Sequence, residues 1–312
     1  MKKFEYPITI NNKFILENFK NSIILDIETT GLSRQKDTII ILGLLEIEKF
    51  AKIKIYFAEN LKEEVDLLLN LNVDNRKLIT YNGNRFDLPF IKNKEQFYSI
   101  KTSSYVSFDL YDYIKKYKYL LNLDSYKQKN IEKFLGYERD EFISGAELIK
   151  NYKNYLKTRD DDLLNSIINH NKDDVTGLLK SLEIINFIKK LLTVEVEGYN
   201  FIIEDLSFSN NLLIIKGTTN CPFTCEVNSF NHSFYLKENI FNINILTYEN
   251  KYDEGLICRY ILSEDFNNIK DVSNIPSPDK VYLLYLKDFI FHNVKKLVMD
   301  IIEDTFKNIK LY

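Results

Sequence analysis

The sequence predicts an α/β chain in two parts: a mixed β-sheet flanked by helices, then an antiparallel β-rich region that ends in a helix. Three observations predict it. Apolar runs of strand-like and helix-like spacing alternate up to about Leu110. From Leu110 to about Leu192 the spacing is mostly helical. Beyond Val194 come short β-branched and aromatic runs with turns between them.

Taken in order, SIILDIE (residues 22–28) reads as a strand that Thr29-Thr30-Gly31 breaks. TIIILGLLEIE and KIKIYFA follow as two more strands, with connections short enough for an antiparallel meander. LKEEVDLLLNL has helical spacing, and KLITYN returns to a short strand. Asp87 then opens a helix whose Pro89 suits a first turn, where the missing N–H costs nothing. VSFDL reads as one more strand before the helical stretch. Three strands, helix, strand, helix, strand and then helices describe a mixed sheet with helices packed on it. In the second half YNFIIEDLSF, NLLIIKG, FNINILTYE, GLICRYIL and KVYLLYL read as strands, and an amphipathic helix spans Phe289 to Phe306. Two domains are expected, residues 1–192 and 193–312, each with enough chain to bury a core.

Bulk composition narrows the function classes. Hydrophobic residues at 45% and charged residues at 28% are ordinary for a soluble globular chain, and 9 Gly with 5 Pro argue against long disordered linkers. Cys221, Cys225 and Cys258 form no disulfide framework. No second Cys/His pair stands at zinc-site spacing, so no zinc site is expected. The start, MKKFEYPITI, lacks a signal-peptide core, and no apolar run of about 20 residues could span a bilayer. A cytoplasmic protein with no membrane association is expected. Of the 42 basic and 45 acidic residues, 11 and 17 fall at or after Leu191, a balance of −6; the first 190 residues keep 31 and 28, or +3. A polyanionic partner therefore belongs with the N-terminal half.

Three acidic motifs carry chemistry. Asp26 and Glu28 stand two apart, so a strand puts both on one face with Leu25 and Ile27 on the other. Alone, this pattern also describes a solvated strand end. Asp87 follows the Asn82-Gly83 turn; alone, it is also a helix-start acid favoured by the macrodipole. In INHNKDDVTGLLKSLEII, His170 and Asp174 share a helix face. Asp174 lines up with Ile167, Leu178, Leu182 and Ile185, which must meet the sheet, whereas Asp173 lines up with Thr176, Gly177 and Lys180, read as solvent-facing. Asp174 is thus the functional candidate. His170 also fits a satisfied helix histidine, and Asp109 fits either a supporting acid or a helix start.

Asp26, Glu28, Asp87 and Asp174 with His170 resemble the DEDD, or DnaQ-like, 3′–5′ exonucleases of the RNase H-like fold. DIETTGL, the YN and FDLPF of Tyr81–Phe90, and HNKDDV carry the likeness. The chain is more similar still to the YprB-like RNase H-like domains, through YNGNRFDLPFIKNK, SFDLYDY and the run from Ile131 to Val175. The resemblance covers roughly Ser22 to Ile188. His170 precedes Asp174 by four residues, where one DEDD subclass has Tyr and the other has His one residue further upstream; the YprB-like branch shows the same His-Asn-x-x-Asp pattern.

The resemblance implies an α/β RNase H-like domain that hydrolyses phosphodiester bonds from the 3′ end of single-stranded DNA or RNA with two divalent ions, Mg²⁺ or Mn²⁺. Asp26, Glu28 and Asp174 would hold one ion; Asp26 and, directly or through water, Asp87 would contact the other. His170 would orient or deprotonate the attacking water. Thr29, Thr30, Gly31, Leu32, Asn82 and Phe86 would contact substrate. The physics agrees: two carboxylates about 4 Å apart repel by roughly 4 kcal/mol at an effective dielectric near 20, so four need cations, and hard oxygen ligands suit Mg²⁺ or Mn²⁺. The alternative is a catalytically inactive nucleic-acid-binding or scaffolding protein of the same fold, although such a protein has no physical reason to keep clustered charges. A third option has the acidic C-terminal domain recruit a protein partner.

Overall fold

A computed structural model of the chain describes residues 1–102, 104–139 and 143–309. Asp140–Phe142 of the run leading to Val175 and the last three residues of the expected C-terminal domain lie outside them. The chain divides into two compact units, Met1–Tyr117 with Leu123–Asn186, and Lys118–Asn122 with Phe187–Tyr312.

The first unit runs β1 (Lys2–Thr9), α1 (Lys13–Phe19), β2 (Ile23–Thr29), β3 (Ile39–Glu46), β4 (Phe50–Phe57), α2 (Glu64–Leu69), β5 (Arg76–Thr80), α3 (Asp87–Phe97), β6 (Tyr105–Asp109) and α4 (Leu110–Lys116). After α5 (Lys118–Leu121), which belongs to the second unit, come α6 (Gln128–Phe134), α7 (Gly145–Thr158), α8 (Asp161–Ser181) and α9 (Glu183–Leu192), the last belonging to the second unit from Phe187 onward. The sheet order is β1-β4-β3-β2-β5-β6. β2, β3 and β4 form the expected antiparallel meander, while β5 and β6 add parallel to β2. The apolar runs of β2 and β3 explain their central places, because only a strand covered on both faces can hold so many consecutive buried residues.

β1 and α1 stand where no element was expected. The alternation in KKFEYPIT was legible: Phe4, Tyr6 and Ile8 turn inward while Lys3, Glu5 and Pro7 are exposed. Pro7 suits β1 because an edge strand does not need that donor.

α8 lays Leu164, Ile167, Ile168, Asn171, Val175 and Leu178 into the unit's interior. Asp160 caps it, accepting the Asp162 N–H at 2.8 Å. α7 anchors the outer side of the meander: Tyr152 donates to Ala58 O at 3.1 Å, and the rings of Tyr152 and Tyr155 stand edge-on to Phe57. One expectation for α8 is corrected. The face carrying Thr176, Gly177 and Lys180 is only partly open to solvent: Thr176 and Lys180 are half-buried, and Gly177 is buried against Glu132 and Arg139.

The second unit holds the antiparallel sheets expected from its short strands. One has the order β10 (Cys225–Asn228), β11 (His232–Lys237), β12 (Ile240–Leu246), β9 (Leu212–Thr219), β8 (Tyr199–Ser209), β7 (Thr193–Val196). The other is β13 (Tyr248–Asp253), β14 (Leu256–Leu262), β15 (Val281–Leu286), β16 (Asp288–Phe289). FNINILTYE, read as one strand, divides between the two sheets at Thr247, whose N–H and hydroxyl both donate to Asn211 O. The terminal helix α10 (Phe291–Ile309) starts two residues later than expected, because Phe289 pairs with Tyr285 in β16. Val294, Leu297, Val298, Ile301, Ile302 and Phe306 form its buried stripe. Among the described residues no helix is long and apolar enough to cross a membrane.

The sheet and α8 approach closely at Gly43, which lies opposite Asp26 in the ladder. A Cβ there would fall 2.2 Å from Asn171 Oδ1 and 2.9 Å from Val175 Cγ2. Gly43→Ala is therefore expected to push α8 away and to destabilise the first unit by about 1–3 kcal/mol, read as a lower midpoint in urea denaturation.

Candidate active site

The site forms where β2 ends. Leu25 and Ile27 are buried in a cluster with Leu67, Leu88, Phe90 and Ile91, so the pleat turns Asp26 and Glu28 to the opposite face, toward α8. The ladder between β2 and β3 is irregular between Glu28 and Thr29, a bulge of the kind that re-aims a strand's last side chains. The turn beyond is internally bonded. Thr29 Oγ1 donates to Gly31 O at 2.7 Å, Thr30 Oγ1 accepts the Thr38 N–H at 3.0 Å, and Asp37 Oδ2 accepts the Ser33 N–H at 2.8 Å. Gly31 packs so closely on Asp37 that a Cβ would lie 2.5 Å from its carboxylate. Leu32, next in line, is 84% exposed.

Asp87 arrives on the first turn of α3, and its Oδ1 accepts the Ile27 N–H at 3.2 Å, tying that helix to the strand between Asp26 and Glu28. The preceding turn depends on Asn82, whose φ of 62° is one that Asn tolerates well. Asp109 secures it, accepting from Asn82 N and Asn84 N at 2.8 and 3.0 Å while capping α4 through Tyr111 N at 3.0 Å. Asp109 is thus both a supporting acid and a helix start. Phe86 packs on Phe90 at 5.6 Å and is partly buried against the core.

α8 supplies the remainder. His170 Nε2 lies 3.2 Å from Asp174 Oδ2 and 3.4 Å from Glu28 Oε1. One ligand atom each from Glu28, His170 and Asp174 falls within 4.8 Å of the others. Asp26 stands beside this trio, its Oδ2 accepting from Asn171 Nδ2 at 2.7 Å. The structure therefore brings all four expected acids and His170 to one place, with Thr29–Leu32 and Asn82 in the turns that border it.

Sequence reasoning missed four residues here. Asn171 is fully buried and was legible as a second polar residue, besides Asp174, in line with Leu164, Ile167, Val175 and Leu178. Arg139, Glu132 and Gln128 left no such signal. Arg139 Nη1 pairs with Asp174 Oδ1 at 2.6 Å, while its Nε and Nη2 fork onto Glu132 at 2.6 Å each. Gln128 Nε2 donates to both Glu132 Oε1 and Asp174 O at 2.9 Å. Gly177 makes room, since a Cβ there would lie 2.0 Å from Glu132 Oε1.

The electrostatics follow from burial. Burial first, then the charges of Asp174, Glu28 and Asp87, push the Asp26 carboxyl well above its ordinary range. Glu28 is raised likewise by burial and by Asp174 and Asp87. Burial raises Asp87 to about 7 despite the Ile27 N–H, which favours its charged form. Burial also lowers His170, so its imidazole is neutral near pH 7, although Asp174 pulls the other way. At 4.8 Å two full charges such as those of Glu28 and Asp174 repel by roughly 3.5 kcal/mol at an effective dielectric near 20. Partly buried carboxylates that repel at this cost offer the hard oxygen donors a divalent cation takes, and these residues fit one.

With this geometry the relationship to known proteins is direct. The RNase_H superfamily profile matches residues 23–186, more than half of the chain, and the chain belongs to that superfamily. The uncharacterized protein YprB of Bacillus subtilis (strain 168) is 29% identical over 183 residues, which are 56% of this chain and 44% of YprB. The chain thus spans less than half the length of that relative.

Solved structures with some likeness include the family B DNA polymerase of Pyrobaculum calidifontis (TM-score 0.41, 14% identity, 55% of this chain and 25% of that one). Brucella melitensis NrnC bound to pGG has a TM-score of 0.29 and 16% identity over 55% of this chain and 88% of that one. E. coli Exonuclease I in complex with a dA16 oligonucleotide has 0.31 and 15% over 63% and 55%. Likenesses at these scores add nothing to the superfamily assignment.

The raised carboxyls set a pH dependence. Folded Asp87 holds its proton to higher pH than the unfolded chain does, so between the ordinary carboxylate range and about 7 the folded state binds more protons. Its stabilising contribution is complete at the acid end of that window and falls as pH rises through it. In chelator, Asp87→Asn is expected to melt close to wild type at about pH 4 and several degrees above it at about pH 8, by calorimetry at both pH values.

Proposed function

We propose that residues 1–192 form a metal-dependent 3′–5′ exonuclease domain that hydrolyses phosphodiester bonds of single-stranded DNA or RNA with two divalent ions, Mg²⁺ or Mn²⁺. The observation that carries this is the convergence of Glu28, His170 and Asp174 within 4.8 Å, with Asp26 and Asp87 beside them. Asp26, Glu28 and Asp174 are assigned to one ion and Asp26 with Asp87 to the other. The ions, when bound, neutralise the carboxylates and the scissile phosphate and lower the pKa of water.

The chain's own groups do the rest. His170, kept neutral by burial, can take a proton at Nε2, the nitrogen turned toward Glu28 and Asp174. Asn171 fixes the rotamer of Asp26, and the Ile27 N–H fixes that of Asp87. The exposed Leu32, with Thr29, Thr30, Gly31, Asn82 and Phe86, is assigned to the substrate's terminal nucleotides. Residues 193–312, with their acidic balance and the 96% exposed Phe230, are assigned to binding a protein partner.

Single-stranded DNA and RNA labelled at the 5′ or 3′ end, incubated with Mg²⁺ or Mn²⁺, test the assignment. Stepwise shortening from the 3′ end is expected, with Asp26→Ala slower by roughly 10³-fold, the scale on which one preorganised group acts. No cleavage by pure wild-type protein, or cleavage unchanged in Asp26→Ala, would sink it and leave a non-hydrolytic nucleic-acid-binding role.

A further inference from the structure

We infer that Arg139 is a built-in competitor for the divalent cation at Asp174 and sets how tightly this site binds metal. The inference rests on the metal-dependent assignment above and concerns a residue outside the expected ligand set.

Both oxygens of Asp174 already have partners: Oδ1 faces Arg139 Nη1 at 2.6 Å and Oδ2 faces His170 Nε2 at 3.2 Å. Arg139 is the one guanidinium or ammonium that an ion pair joins to the four acids among the described residues. Its placement is built rather than incidental. The side chain is 11% exposed, and Glu132, which takes its other two donors, is 1% exposed. Gln128 bonds Glu132 and the Asp174 carbonyl together, and the missing side chain of Gly177 gives the Glu132 carboxylate its place. A buried carboxylate such as Glu132 must stay paired, so Arg139 is held in the site whether or not a metal is present.

A fixed positive charge on one oxygen of Asp174 has two opposed consequences. It offsets part of the mutual repulsion of the acids, which lets the cluster fold without metal. It also stands beside any divalent ion that shares Asp174, so ion and guanidinium repel and compete for Oδ1. The second consequence gives the role a sign: removing the charge tightens metal binding. A residue that merely propped Asp174 in place would do the reverse.

The test is Mn²⁺ affinity by isothermal titration calorimetry on the full chain. Arg139→Gln alone would leave Glu132 buried and unpaired, so the principal variant is Arg139→Gln with Glu132→Gln, which removes both members of the pair and keeps hydrogen-bonding groups. The double variant is expected to bind Mn²⁺ at least tenfold more tightly than wild type, with a matching larger Mn²⁺-induced rise in melting temperature. Affinity unchanged or weakened in the double variant overturns the inference and leaves the nuclease assignment standing. Absence of Mn²⁺ binding in wild type and double variant alike overturns both.

Discussion

The structure depends on one constraint: four carboxylates and an imidazole must occupy a small, partly buried space at the end of β2 without forcing the chain apart. Hydrophobic packing cannot accommodate this, because each charge removed from water is costly and each added neighbour raises the cost. What makes the arrangement tolerable is that three of the acids have a specific compensation. Asp26 has the Asn171 amide, Asp87 the Ile27 N–H and Asp174 the Arg139 guanidinium, while Glu28 has only the His170 ring 3.4 Å away. Burial still prevails for three of them, whose carboxyls are raised. The cluster is therefore under electrostatic load, and the load points to a cation.

The backbone is shaped around the same requirement. At Gly43 and Gly177 a side chain is absent where one would collide with a group of the site, Asn171 in the first case and Glu132 in the second. These glycines are needed for space rather than for unusual dihedrals. At the other two approaches a carboxylate outside the acid set organises a turn: Asp37 closes Gly31–Ser33 and Asp109 gathers Asn82–Asn84. Helices bring the remaining acids, Asp87 from a first turn and Asp174 from mid-helix, so no single element contains the site. It exists only when sheet, α3 and α8 are assembled.

How far this was legible follows from the range of each signal. Strand and helix periodicities are local, and they located the meander, the helical stretch, the antiparallel second unit and the acids of each motif. Asp26 and Glu28 were readable because two acids at strand spacing interrupt an apolar run. Asp174 was readable because it lies in register with Ile167 and Leu178. β1 was overlooked although its alternation is regular, since an edge strand is only half buried and its Lys and Glu resemble a polar terminus. The division of FNINILTYE at Thr247 was invisible because both halves are good strands, and only the bonds to Asn211 O decide where one sheet ends. Arg139 and Glu132 are seven residues apart, and nothing local marks them as partners of a residue 35 positions further on.

The partial covering of the polar face of α8 at Gly177 escapes the sequence for the same reason. Thr176, Gly177 and Lys180 look exposed because small and charged residues usually are. Here the smallness of Gly177 admits Glu132, Glu132 holds Arg139, and Arg139 reaches Asp174. The two sides of α8 therefore do different work on one carboxylate. His170, one turn earlier on the helix, lies 3.2 Å from Oδ2, while Arg139, held by Glu132 of α6, pairs with Oδ1. A carboxylate gripped from both sides can neither rotate nor take up a cation without displacing or sharing a partner. The contacts that fix the geometry of Asp174 are thus the same contacts a cation there would have to share.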